Sequence, residues 1–111
     1  MSSQSTVKIV QPTGMLDGTT AKQFRETIAE VLSEGAEIVL VDLKETTFID
    51  SSGLGALASA LKTVNSTGGK IFFAAPNEQV KMVFELTCMD RAFKIFDDRE
   101  AFDQSILQSS N

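Results

Sequence analysis

The sequence predicts a single α/β domain, a mixed and mostly parallel sheet of about five strands with about four helices, because strand-like runs alternate with helix-like ones. Two further observations agree. The 111 residues are 42% hydrophobic with eight Phe spread along the chain, and a chain of this length buries roughly 60 to 70% of its unfolded surface, enough for one core. There is no internal repeat. The domain is expected over residues 6–107, between polar tails at 1–5 and 108–111.

Val7 to Val10 reads as a short strand that passes through Pro12 and Gly14 to Met15 and Leu16, so an opening hairpin with an antiparallel edge is expected. Asp17, Gly18, Thr19 and Thr20 supply turn and cap chemistry and predict a helix from Thr19 or Thr20. Ala21, Phe24, Ile28, Val31 and Leu32 put its apolar residues on one face, and Gly35 ends it. Ile38 to Leu43 is aliphatic and β-branched enough for a buried strand. A second helix follows through Leu54, Leu57, Ala58, Leu61 and Val64, stopping after Ser66 at Thr67, Gly68 and Gly69. Lys70 to Ala75 is continuous and apolar enough for a sheet interior. Pro76 and Asn77 break that strand and start a helix through Val80, Val83, Phe84 and Leu86, closed by Thr87, Cys88 and Met89. Phe93 to Phe96 predicts a last short strand, and Asp97 or Asp98 caps a final helix through Phe102 and Ile106.

Composition removes several function classes. Fifteen acids against ten bases give a net charge of −5, with no run of Lys or Arg, which argues against nucleic acid or an anionic membrane and favours a protein partner. The N-terminal segment lacks the apolar stretch of a signal peptide and no apolar run approaches a bilayer span, so no membrane insertion and a cytoplasmic location are expected. The absence of His excludes a Ser/His/Asp triad, a phosphohistidine relay and His-ligated metal. A single Cys excludes an internal disulfide. With no Tyr present, a hydroxyl phosphorylation switch has to use Ser or Thr.

The segment Phe48 to Gly55, FIDSSGLG, carries the most functional information. It places Asp50, Ser51 and Ser52 where an apolar strand gives way to a helix. A Ser or Asp oxygen there accepts from the unpaired N–H groups of the first turn, and the helix dipole favours negative charge, phosphate included. An Asp-Ser-Ser stretch before an apolar helix is also a plain helix cap.

FIDSSGLGAL at Phe48–Leu57, together with GMLDGTTA at Gly14–Ala21 and FELTCMDRAFKIFDD at Phe84–Asp98, resembles a STAS domain of the anti-sigma factor antagonist type, over about residues 6 to 105. The resemblance implies a regulator that is not an enzyme. It implies that the protein, when unphosphorylated, binds an anti-sigma factor that is also a serine kinase, and is released when Ser51 is phosphorylated. A serine phosphatase acting on the phosphorylated form reverses the step. Ser52 is the rival acceptor or a capping hydroxyl. Asp17 in its loop, with Asp50, Ser52, Gly53, Leu54 and Gly55, is implied to form the partner surface. Asp17 bonding its own backbone in a helix-entry turn is compatible with that role, and Leu54 faces either the partner or the core. The glycines leave little steric cover near the backbone.

Cys88 departs from the family pattern, which has Gly in this segment, and is expected to be a buried packing residue with a different helix-closing geometry. Asp97, Asp98, Glu100 and Asp103 fit an acidic helix start rather than a metal loop, and the glycine pairs lack nucleotide-loop spacing. Neither a metal nor a cofactor is therefore expected. Two alternatives stay open: a STAS scaffold module of a stressosome-like or membrane-associated complex, and a small enzyme such as a nucleotide hydrolase.

Overall fold

Two apolar runs covered on both faces form the centre of the sheet. In the computed structural model, which describes residues 6–109, the order is β1 (Val7–Val10), β2 (Gly14–Leu16), α1 (Ala21–Ser33), β3 (Ile38–Asp42), β4 (Thr46–Ile49), α2 (Ser51–Ser66) and β5 (Lys70–Ala74). Then follow α3 (Glu78–Leu86), a single 3-10 turn at Met89–Arg91, β6 (Ile95–Phe96) and α4 (Arg99–Ser109). Residues 1–5, expected as a tail, lie outside the described residues, as do 110 and 111, whereas 108 and 109 belong to α4.

The main sheet has the order β1-β3-β5-β6, with every neighbouring pair parallel. Alternate residues of its central strands feed two different cores. Val39, Val41, Ile71 and Phe73 pack with the apolar faces of α1, α2 and α3, while Leu40 and Ala74 pack beneath Phe102 of α4. This explains why the strands are apolar without alternation. A fully buried Val, Leu or Phe contributes roughly 1.5–3 kcal/mol, so Val39, Leu40, Val41 and Phe73, all fully buried, set the sheet's position.

The opening hairpin does not form. Val7 lies opposite Ile38 in one parallel ladder and Leu16 lies opposite Ile49 in another, so β1 and β2 are successive parts of one path that keeps its direction. The partner segment carries two extra residues across this distance, taken up at the break between the ladders and at an irregularity between Gly14 and Met15. Asp42, buried at the break, accepts from the Lys44 N–H at 3.0 Å and from the Gln11 amide at 3.4 Å. The Thr46 hydroxyl donates across it to the Pro12 carbonyl at 2.9 Å. The resulting β2–β4 ladder is a second, two-stranded unit, and β4 is a sixth strand beyond those expected.

The helix ends follow their local chemistry. Asn77 caps α3 by accepting from the Val80 N–H at 2.9 Å, and Asp98, the second of the two expected candidates, accepts from the Ala101 N–H at 2.8 Å. Cys88 differs from expectation on both counts: it is exposed, and it takes the left-handed geometry with φ 61° and ψ 18° that a glycine would take. Its N–H closes onto the Glu85 carbonyl, so the backbone keeps a glycine-type helix stop although the side chain resists it. A left-handed conformation costs a non-glycine residue about 1–2 kcal/mol, partly offset by the greater unfolded-state freedom of glycine. Cys88→Gly is therefore expected to stabilise the fold by about 0.5–1 kcal/mol, seen as a higher melting temperature. A lower melting temperature contradicts this account of the turn.

Candidate functional site

Two segments leave the carboxyl ends of the β2–β4 ladder side by side: Leu16 leads into Asp17 and Gly18, and Ile49 leads into Asp50 and Ser51. The Asp50 N–H donates to the Leu16 carbonyl at 3.3 Å and extends the ladder by one residue. Gly53 is what allows the first turn of α2 to come so close. A Cβ there would collide with the Leu16 carbonyl oxygen and lie 2.8 Å from its carbonyl carbon and 2.9 Å from Ile49 Cγ1. On the outer side, a Cβ on Gly18 would stand 3.7 Å from Ser52 Oγ, so the Asp17 loop lies directly beside the serine turn.

Asp50 is the cap of α2. Its Oδ1 accepts from the Gly53 N–H at 2.9 Å, and its backbone carbonyl accepts from Leu54 at 2.8 Å. Ser51 and Ser52 are both exposed at the start of the helix, and neither hydroxyl has a hydrogen-bond partner among the described residues. Ser52 thus does not serve as the cap. Gly55 is exposed on the next turn, whereas Gly53 and Leu54 are buried and shape the surface from beneath rather than forming it. Leu54 faces the core.

Asp17 forms a closed turn of its own. Its Oδ1 accepts from the Thr19 hydroxyl at 2.7 Å and the Thr19 N–H at 2.9 Å, while its own N–H donates to Thr20 Oγ1 at 3.0 Å. The Thr20 hydroxyl donates to the Met15 carbonyl at 2.9 Å, and the Asp17 carbonyl accepts from Ala21 at the start of α1. The Thr19 hydroxyl first, and then the Thr19 N–H, hold the Asp17 carboxyl below its ordinary pKa. The carboxylate is therefore charged at neutral pH.

Two features of this surface were not legible beforehand. Met15 and Phe48 are paired across the ladder and remain 52% and 40% exposed, so large apolar side chains lie two residues before Asp17 and Asp50 on the same side of the pleat. Gln79 of α3 bonds both backbone groups of Ile49. Neither contact has a local sequence signal, because each joins residues about thirty positions apart.

A cavity of about 270 Å³ next to the Asp17 loop, bordered by Met15, Leu16, Thr20 and Phe24, has no charged side chain in its lining. Among the described residues no three His, Cys, Asp or Glu side chains cluster as metal ligands, and no helix is long and apolar enough to cross a membrane.

Comparison with known proteins finds relatives of the chain as a whole. The profile of the STAS domain matches residues 1–101. A Thermotoga neapolitana protein provisionally named an anti-sigma factor antagonist homolog is 36% identical over 92 residues, covering 82% of this chain and 81% of the relative. The crystal structure of a Thermotoga maritima protein with the same provisional name superposes with a TM-score of 0.83 at 31% identity, over 90% of this chain and 86% of that one. The anti-sigma factor antagonist SpoIIAA in its unphosphorylated form shares the fold with a TM-score of 0.74 at 19% identity, over 95% and 92% of the two chains.

Gly53→Ala is expected to destabilise the domain by about 3 kcal/mol, since overpacking against a backbone carbonyl has no flexible neighbour to yield. Melting within about 2 °C of wild type contradicts the close approach. For Asp17, whose folded-state pKa is depressed, the turn is held above the ordinary carboxylate range and is released as pH falls through the lowered value. The Thr19 amide resonance should titrate with a midpoint below 3.8; a midpoint at or above 3.8 removes the bond.

Proposed function

The chain belongs to the STAS domain family, with curated relatives named anti-sigma factor antagonists, and from that premise we propose that it is a cytoplasmic anti-sigma factor antagonist acting by partner switching. In this reading the unphosphorylated protein binds an anti-sigma factor serine kinase through the serine turn and the Asp17 loop. Phosphorylation of Ser51 releases it, and a serine phosphatase restores the binding form. The observation that carries the reading is the Ser51 hydroxyl, exposed and unpartnered at the first helical position of α2, with the Asp17 loop against the adjacent Ser52. Ser51 rather than Ser52 is assigned from the family resemblance, both hydroxyls being exposed.

Magnitudes account for the direction of the switch. A phosphoserine adds about −1.5 to −2 charges beside Asp50, and a helix N-terminus returns about 0.3–1 kcal/mol for an exposed anion. The free protein tolerates the group because water solvates it. Inside an interface the same charge has to be desolvated next to the Asp50 carboxylate, and an unmatched charge there costs several kcal/mol. Each 1.4 kcal/mol is tenfold in affinity. Met15 and Phe48 supply the apolar area that such an interface needs at its centre. The role is regulatory: the nucleotide and the phosphoryl-transfer machinery belong to the kinase, and this chain supplies the accepting hydroxyl.

Ser51→Ala is expected to hold the kinase partner permanently, and Ser51→Asp to hold it at least about tenfold more weakly, with both variants melting close to wild type. Quantitative pull-down with each variant beside a thermal melt measures this. Equal capture by Ser51→Asp and Ser51→Ala contradicts the reading. Asp50→Asn keeps a good capping side chain and hence the fold, yet removes one charge from the surface. Its affinity should change without a shift in melting, and unchanged affinity takes Asp50 out of the interface.

A further inference from the structure

The outer edge of β4 has no strand beside it, yet the Thr46 and Thr47 carbonyls and both backbone groups of Ile49 are paired. β2 occupies one side of β4, and on the other the first turn of α3 presents two side-chain amides in place of a neighbouring strand. Asn77 Nδ2 donates to the Thr46 and Thr47 carbonyls at 3.3 and 3.2 Å. Gln79 goes further: its Oε1 accepts from the Ile49 N–H at 3.0 Å and its Nε2 donates to the Ile49 carbonyl at 3.1 Å. Both polar groups of one residue are closed by a single carboxamide, which reproduces the donor and acceptor pattern of a strand. The orientation of the amide is fixed by chemistry, because an N–H needs an acceptor and a carbonyl a donor.

Ile49 is the last residue of β4, followed at once by the Asp50 cap and by Ser51. The other end of the clamp is held just as firmly. Val80 and Phe84 anchor α3 in the core, with Val80 fully buried and Phe84 at 1% exposure, and Asn77 caps the same turn. We propose that Gln79 is the positioning residue of the serine turn: by closing both backbone groups of Ile49 it fixes where α2 begins and so where the Ser51 hydroxyl is presented. The functional part of this inference rests on the partner-switching reading; the mechanical part does not. It gives α3 a direct hold on the acceptor turn from about thirty residues away in sequence. Gln suits the position because Met of similar length has no polar groups for Ile49, and an ionised Glu accepts from the N–H but faces the carbonyl with a second acceptor.

The test is residue-resolved amide hydrogen exchange on the full chain, comparing wild type with Gln79→Met. The expected result is a loss of protection of at least about tenfold, or 1.4 kcal/mol, at Ile49 and also at Gly53 and Leu54, whose N–H groups bond to Asp50, with Val39 to Val41 unchanged. Loss confined to Ile49, with Gly53 and Leu54 as protected as before, overturns the proposal: the clamp then holds the strand and not the turn. If Gln79→Met does not fold, Gln79→Glu, which keeps one of the two bonds, decides. Selective loss at Gly53 and Leu54 supports positioning, and unchanged or uniformly lowered protection overturns it. Phosphopeptide mapping of wild type in its native cell separates the two claims. Absence of phosphate at Ser51 removes the switch while leaving the exchange result to stand or fall alone.

Discussion

Everything at the serine turn depends on one close approach, the backbone of α2 at Gly53 against the carbonyl of Leu16. Because no methyl group fits between them, the end of β2 and the start of α2 are held as a single unit. The Asp50 N–H bonds to the same Leu16 carbonyl, and the Asp50 carboxylate reaches forward to the Gly53 N–H. Two loops from separate parts of the chain thereby share one fixed geometry. The Asp17 loop adds its own closure through Thr19 and Thr20, so each side of the surface is ordered before any partner arrives.

That preorganisation suits a switch based on charge rather than on refolding. The caps and turns that order the site use Asp50, Asp17, Thr19 and Thr20, whereas the Ser51 and Ser52 hydroxyls are left free. A group added to Ser51 consequently breaks no hydrogen bond within the domain. Its effect falls on whatever covers the turn, where desolvation makes charge costly. In the proposed switch the exposed Met15 and Phe48 pair has a matching place, apolar area for affinity beside a turn for control.

Much of this was legible in the residues, for identifiable reasons. Continuous apolar runs at Ile38 to Leu43 and Lys70 to Ala75 marked strands covered on both faces, and short polar side chains at Asp50, Asn77 and Asp98 marked helix starts. β4 was not legible, because Thr46 and Ile49 are buried while Thr47 and Phe48 between them are exposed, a pattern that does not alternate. The parallel pairing of β2 with β4 follows from a chain that keeps its direction through Pro12 to Gly14, a segment whose composition reads equally well as a hairpin turn. Cys88 was misplaced because a non-glycine residue was expected to change the helix stop, whereas the chain keeps the left-handed stop and leaves the side chain exposed. Gln79 was invisible because its importance lies wholly in a distant backbone partner.

In the proposed switch one hydroxyl at the start of α2 is the acceptor, and its phosphorylation controls binding. Intact-mass analysis of the protein recovered from its native cell, with and without phosphatase activity, followed by fragment ions that separate Ser51 from Ser52 and by pull-down of each form, tests it most directly. The expected result is a single phosphate on Ser51 that accumulates without the phosphatase, and a kinase partner that is captured only by the unmodified form. A phosphate on Ser52 or elsewhere, or equal capture of the partner by both forms, would contradict it.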